Sequence, residues 1–355
     1  MVVKDAAAYR FLGHCLNPAA STPELPGEAD WPALVALGSH HWLLPGLATA
    51  LYHRGLEPHL PAALVDHLQA LHELNAARNQ QLRTELLAIC AHLNELEVEP
   101  LLLKGAIALV EPLYPNFGDR MMSDLDVLVP TARLEDCRQH LLRAGWDWDR
   151  EIPALLWQNK HHAPPLFHPE HPAAVELHGH GVERRHRHLL STGDFHADSE
   201  RHEVAGVALR IPTPAVRLRH NLVHTQLTDR HYQYARLNLR QLWEWVMLRK
   251  RFDGHVAWPS LSATLGAQAV VLEGYLLAAS TFFGQAPPPG LTIGHDGRRA
   301  HARSIRVLRQ PGYARLLGFR ADTKHLFRVR LPHLRVKLPS VAWWRFQWRR
   351  RIKNL

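Results

Sequence analysis

The sequence predicts an α+β fold, and three observations predict it. Residues 99–130, EPLLLKGAIALVEPLYPNFGDRMMSDLDVLVP, alternate short apolar runs with turn residues and read as strand, tight turn, helix, loop and strand. On either side, apolar residues recur at three- and four-residue intervals over 71–96 and 237–250, the helical period. Between those helices, 173–180 alternates with period two and 201–211 reads as a hairpin turning at Gly206. The composition shifts divide the chain into a helical segment over 1–98, a mixed core over 99–211, a helical domain over 212–286 and a basic tail over 287–355.

The first segment is helical throughout. Residues 31–51 carry helical spacing interrupted at Pro45-Gly46. The next helix has a stripe of Leu71, Leu74, Leu82, Leu86, Ile89, Leu93 and Leu96, which needs a partner surface and is expected to lie beside the sheet as scaffold. Leu101 to Leu103 then form a strand that ends at Lys104-Gly105. A helix is expected over 106–114, stopped by Pro115, Asn116 and Gly118.

Residues 123–129 return as a strand holding Asp124 and Asp126. Side chains alternate along a strand, so both carboxylates share one face, with Leu125, Val127 and Val129 on the other. Two carboxylates on one face repel and cost desolvation unless a cation sits between them. All-oxygen donors suit Mg²⁺ or Mn²⁺. A strand with a solvated polar face is the plain alternative.

Thr131 is placed to cap a helix through Leu134, Cys137, Leu141 and Leu142, with Glu135 and Asp136 near its positive end. Ala144-Gly145 ends it, and residues 146–148 begin a strand. In the histidine-dense stretch 160–190, alternation puts Glu176, His178 and His180 on one face of a strand and Val175 and Leu177 on the other. Thr213 before Pro214 marks a helix start. That helix presents Leu218, Leu222 and Leu227, while His220 and His224 share a face. The following helix turns Leu239, Leu242, Val246 and Met247 inward, and Arg240 and Glu244 stand at the spacing of an ordinary ion pair. Residues 255–285 form one more apolar helical stretch, and the proline-rich run at 285–290 is a linker.

LLLKGAIALVEPLY, Arg120 and SDLDVLV together resemble the core of a bacterial branch of the nucleotidyltransferase superfamily, whose catalytic domain is similar to that of DNA polymerase β. The resemblance covers residues 30–285. It implies a polymerase β-like core, a mixed sheet with flanking helices. It also implies Mg²⁺- or Mn²⁺-dependent transfer of a nucleoside monophosphate from an NTP, with ATP the expected donor, to a hydroxyl acceptor, releasing pyrophosphate. Carried over residue by residue, Asp124, Asp126 and Glu176 are the catalytic, metal-holding acids, with Glu176 as general base. Lys104, Gly105, Arg120 and Ser123 hold the nucleotide, and His178, Arg240 and Glu244 support them. The chain has Lys104-Gly105 where the superfamily at large has Gly-Ser, and Glu176 where the third acid is Asp in most members.

The acceptor is left open between a small molecule in a natural-product pathway, a peptide or protein side chain, and an RNA end. Two other readings stand beside transfer: a non-catalytic nucleotide- or RNA-binding module, and a phosphotransferase using the same metal site.

Net charge is +9, and the excess is local: from residue 298 onward there are 17 Lys and Arg against one acid, Asp322. Such a tail suits an anionic partner. In it Trp343, Trp344, Phe346 and Trp348 interleave with Arg345, Arg349, Arg350 and Arg351, a pattern that fits an anionic membrane surface, single-stranded nucleic acid or a groove of its own protein. A helix with a solvated basic face fits equally. His161, His162, His168, His171, His180, His186 and His188 lack an H-E-x-x-H arrangement, which argues against a zinc hydrolase. Three scattered cysteines exclude a disulfide framework and suit a reducing cytoplasm. No apolar run of transmembrane length and no signal peptide is read from the sequence.

Overall fold

A mixed five-stranded sheet divides two bodies of helices in the computed structural model, which describes residues 6–27, 30–148 and 161–325. The strands are β1 (Leu101–Leu102), β2 (Asp124–Leu128), β3 (Ala174–His178), β4 (Ser199–Val204) and β5 (Val207–Pro212), in the order β3-β2-β1-β5-β4. β1 runs antiparallel to β2 and parallel to β5, β2 runs parallel to β3, and β4 and β5 form the expected hairpin. Its turn is Ala205-Gly206, both with positive φ (52° and 79°), a left-handed pair suited to the twist of a tight hairpin. Beyond β3, residues 161–167 add an irregular edge: Ala163 N–H donates to Leu177 O and Leu166 N–H to Val175 O.

Alternation gives the sheet two faces with different neighbours. Leu102, Leu125, Val127, Val175 and Leu177 join a core with Leu82, Leu86, Ile89 and Leu93 of α4 (Ala62–Asn94) and Cys137 and Leu141 of α5 (Leu134–Arg143). Leu101, Leu103 and Leu128 point the other way, into a core shared with the remaining helices. Before the sheet these are α1 (Ala6–Leu16), α2 (Trp31–His40) and α3 (Leu44–His53). Between β3 and β4 lies α6 (Thr192–Ala197), and after the sheet come α7 (Pro214–Leu222), α8 (His231–Tyr234), α9 (Leu239–Phe252), α10 (Trp258–Leu265), α11 (Ala269–Phe283), α12 (His295–Arg309) and α13 (Pro311–His325). Asp124, Asp126, Glu176 and His178 fall on this second face, so the site lies in the seam between the sheet and the helical body.

Several elements differ from the sequence expectation, each for a local reason. The helix expected over 106–114 is a short 3₁₀ segment, Lys104–Leu109. The break expected at Pro45-Gly46 falls earlier, at Trp42 with φ +58°, because Pro45 sits in the first turn of α3, where its missing N–H costs nothing. Leu74 is 68% exposed. The inward positions in that part of α4 are instead Asn75 and Asn79, whose amides donate to Gly118 O, Phe117 O and Arg120 O and fix the loop before β2. Thr131 caps no helix; its hydroxyl donates to Gly179 O at the end of β3. Thr213 precedes α7 as expected but makes no side-chain cap.

Beyond the proline run the described residues form two helices, α12 and α13. α12 packs on α11 through small residues, with Gly274 against Ala300 and Glu273 folded over Gly297. Small-residue contacts leave little apolar periodicity to read. Trp258–Phe283 is long and apolar enough to cross a membrane by length and composition alone, though no such run is read from the sequence. It is broken at Gly266 (φ +51°), and Leu272, Tyr275, Leu276, Phe282 and Phe283 are buried in the core. The Trp/Arg-rich end at 343–351 lies outside the described residues.

Candidate active site

The site is assembled by strand register. β2 and β3 pair so that Asp126 lies beside Glu176 and Asp124 beside Ala174. Their side chains on the helical face therefore stand next to one another across a parallel pair. At the end of β1, Lys104 has a left-handed backbone, φ +50°, which aims its side chain back across the sheet. Its ammonium donates to Asp126 Oδ1 at 2.6 Å. The same oxygen lies 2.8 Å from His178 Nε2, which is also 3.5 Å from Glu176 Oε2. Asp126 accepts two bonds on one oxygen, so its N-side partner on His178 is the protonated nitrogen. Leu103 N–H donates to Asp126 O, which ties the turn to β2 at the same residue.

Burial and charge act in opposite directions here. Asp126 and His178 are almost completely buried. Burial alone would raise Asp126, but Lys104 and His178 outweigh it and hold the carboxyl well below its usual range. Glu176 is likewise lowered against burial, by His178 and His162. His178 is raised against burial by Asp126 and Glu176. Asp124 is the exception. Among the described residues its one hydrogen bond is from the Ser123 hydroxyl, 3.1 Å, and burial together with the charges of Asp126 and Glu176 raises its carboxyl.

Arg120 is placed elsewhere. Its Nε and Nη2 donate to Glu244 Oε2 at 2.9 and 2.7 Å, and its Nη1 donates to Met121 O. The guanidinium lies so close to Gly105 that a Cβ there would come within 2.8 Å of Nη1. Gly105 thus has no side chain because Arg120 passes over it. Arg240 donates to Met121 O and stacks on Trp42, while Glu244 takes Arg120 rather than Arg240 as its ion-pair partner.

Among the histidines the structure separates neighbours in sequence. The rings of His161 and His162 lie 5.1 and 5.2 Å from that of His178, and burial and neighbouring positive charge push His161 far down. His168 and His171 gather around Trp146 instead, and His180 bonds Thr192. From the other wall, His220 is buried, held well below its usual pKa by burial and by His224. It lines a cavity of about 20 Å³ with Lys104, Tyr114, Asn221, His224 and Glu244, room for about one water. The Arg120–Glu244 hook, the Asn75–Asn79 clamp and the proximity of His161 and His162 carry no sequence motif. Their partners are over 35 residues apart in most cases.

The sequence matches the model of a family described as uncharacterised nucleotidyltransferase over residues 27–283, most of the chain. The protein belongs to this family. No curated protein matches it. In a nucleotidyltransferase the paired acids gain a reason. Ligand atoms of Asp126, Glu176 and His178 lie within 4.8 Å of one another, and Asp124, the third residue of the expected metal set, is not part of that group. Even with Lys104 and a protonated His178, the three carboxylates leave one negative charge unmatched, and it falls on Asp124. That imbalance, with oxygen donors predominating, fits a hard divalent cation.

Proposed function

We propose that this nucleotidyltransferase moves a nucleoside monophosphate from an NTP, with ATP as the expected donor, to a hydroxyl acceptor in a Mg²⁺- or Mn²⁺-dependent reaction that releases pyrophosphate. The observation that carries the reading is the unmatched carboxylate of Asp124 beside the Asp126–Glu176 pair, within a chain of this family. Asp124, Asp126 and Glu176 would hold the metal, which when bound supplies positive charge against the transferred phosphoryl group and makes the acceptor hydroxyl more acidic.

The protein's own side chains have separable tasks. Glu176, held deprotonated by His178 and His162, accepts the proton of the attacking hydroxyl. His178, fully buried between Asp126 and Glu176, fixes the two carboxylates relative to each other. Lys104 brings a point charge to the triphosphate. Arg120, committed to Glu244, supports the turn from behind rather than reaching the phosphates. Ser123 orients Asp124. Three free, buried cysteines support placing the enzyme in a reducing compartment such as the cytoplasm. A tailoring role toward a small molecule or peptide rests on the family resemblance, since the cavity bordered by His220, His224 and Arg217 has room for about one water.

The test is calorimetric titration with ATP, GTP, CTP and UTP, each with and without Mg²⁺, on the wild type and on Asp124→Asn. The expected result is metal-dependent binding of one triphosphate in the wild type, lost in the variant. Undiminished metal-dependent binding by Asp124→Asn would remove the acids from the site.

A further inference from the structure

On the other face of the sheet, two helix ends converge. The last turn of α4 carries His92, Glu95 follows as its C-cap, and the last turn of α5 carries His140. His140 Nε2 lies 2.9 Å from Glu95 Oε2, and His92 Nδ1 lies 3.4 Å from Glu95 Oε1. All three groups offer ligand atoms within 4.8 Å of one another. We propose that His92, Glu95 and His140 form a zinc site that clips the end of α4 to the end of α5.

Four features support the assignment. The donors are two imidazole nitrogens and one carboxylate oxygen, a set that favours zinc over magnesium. The spacing is within reach: tetrahedral zinc with bonds of about 2.0–2.1 Å holds its ligands about 3.3–3.4 Å apart, and the three ligand atoms here lie within 4.8 Å of one another. His92 and His140 face different oxygens of Glu95, Oε1 and Oε2, so the carboxylate has to turn to set one oxygen between the two rings. His92 Nδ1 is buried and makes no hydrogen bond, and it faces the Glu95 carboxylate at 3.4 Å. Both helices present C-terminal ends, whose partial negative charge favours a cation.

The surroundings set the coordination. The ring of Trp146 stands 5.6 Å from that of His92 at 80° and closes one side. The carboxylate of Glu95 is 58% exposed, so solvent reaches the fourth position, where a water completes the tetrahedron. A clip at this place has a structural role. α4 leads into β1 and the Lys104 turn, and α5 follows directly from β2 and its acids, so the zinc would join the two elements that flank both.

The experiment uses the full chain and reads the metal itself. Wild type, Asp124→Asn, His92→Gln and His140→Gln are freed of metal, then titrated with Zn²⁺ and, separately, with Co²⁺, whose visible absorption reports tetrahedral nitrogen–oxygen ligation. Melting of each metal-free variant checks that it folds. The proposal expects one tight zinc in the wild type and in Asp124→Asn. Affinity should fall about a hundredfold or more in each histidine variant, with loss of the cobalt band. Zinc should raise the melting midpoint of the wild type and not that of the histidine variants. Equal zinc affinity in His92→Gln or His140→Gln, or no zinc bound by the wild type, overturns it. A six-coordinate cobalt spectrum in the wild type also overturns it.

Discussion

Two groups of buried charge lie on either side of the Lys104-Gly105 turn, and they are resolved in opposite ways. Arg120 and Glu244 form a closed pair. Both are buried, the guanidinium spends three of its nitrogens on Glu244 and Met121 O, and Tyr114 OH adds a longer bond, 3.4 Å, to the same carboxylate oxygen. Burial would discharge both partners, yet each holds the other ionised, with Arg120 raised and Glu244 lowered. The acid face of β2 and β3 stays open. Lys104 and His178 satisfy Asp126, but at Asp124 the Ser123 hydroxyl and the more distant Lys104 charge do not offset burial and the like charges of Asp126 and Glu176. A balanced buried pair supports structure, and an unbalanced one marks where a ligand of opposite charge belongs.

The sharpest way to break the comparison is to open the closed pair. Arg120→Ala leaves the Glu244 carboxylate buried without its ion-pair partner, which costs about 3–5 kcal/mol. Urea denaturation should show that loss with an unchanged slope. Combining Arg120→Met with Glu244→Leu removes both charges and should recover most of it. A double variant as unstable as the sum of the singles would mean that the two residues act independently and that the pair is not the reason for their burial.

Glu85 extends the comparison with a buried acid that has no ion-pair partner among the described residues and only the more distant charge of Arg78 to oppose burial. It lies inside α4 facing the start of β3, fully buried, accepting one long bond from Ala173 N–H (3.3 Å), with Oε1 unpartnered. Burial raises its pKa from 4.5 to about 7. An acid raised on folding binds more protons in the native state than in the unfolded chain between those two values. Native stability therefore falls as pH climbs from about 4.5 to about 7 and is level beyond. The full shift corresponds to about 3 kcal/mol at most. Glu85→Gln keeps an acceptor for Ala173 and cannot ionise, so its melting midpoint should match the wild type near pH 4.5 and exceed it at pH 8. Parallel melting curves across that range would show that Glu85 titrates normally.

What could be read from the sequence follows from how local each signal is. β2 and β3 were legible because period-two alternation sits within five residues. The same alternation put Asp124, Asp126, Glu176 and His178 on one face before their register was known. The resemblance places Arg120 among the residues that hold the nucleotide, and its pairing with Glu244, 124 residues away, is beyond the reach of any spacing rule. Arg240 at four residues from Glu244 offered a nearer partner, and the longer-range contact won. The early stripe of α4 misled at Leu74 because the face that packs there is lined by Asn75 and Asn79, whose value lies in hydrogen bonds to loop carbonyls rather than in apolar area. His92, Glu95 and His140 went unmarked for the same reason, since two helices supply them.

The smallest expected change in stability is the one that separates site from scaffold. Asp124 is the acid of this face that Lys104 and Ser123 compensate only in part, and its raised carboxyl means that its charge works against the native state at neutral pH. Asp124→Asn removes that charge while leaving Ser123 an acceptor. Its melting midpoint at pH 7.5 should be equal to the wild type or slightly higher, whereas Arg120→Ala falls steeply. Metal-dependent binding should behave in the reverse order: lost in Asp124→Asn, and kept in Arg120→Met/Glu244→Leu wherever that protein folds. A large drop in the stability of Asp124→Asn would mean that the carboxylate holds structure as Glu244 does, and the distinction between the closed and the open charges would be gone. Unchanged stability with lost metal binding would fix the two roles to their two sets of residues.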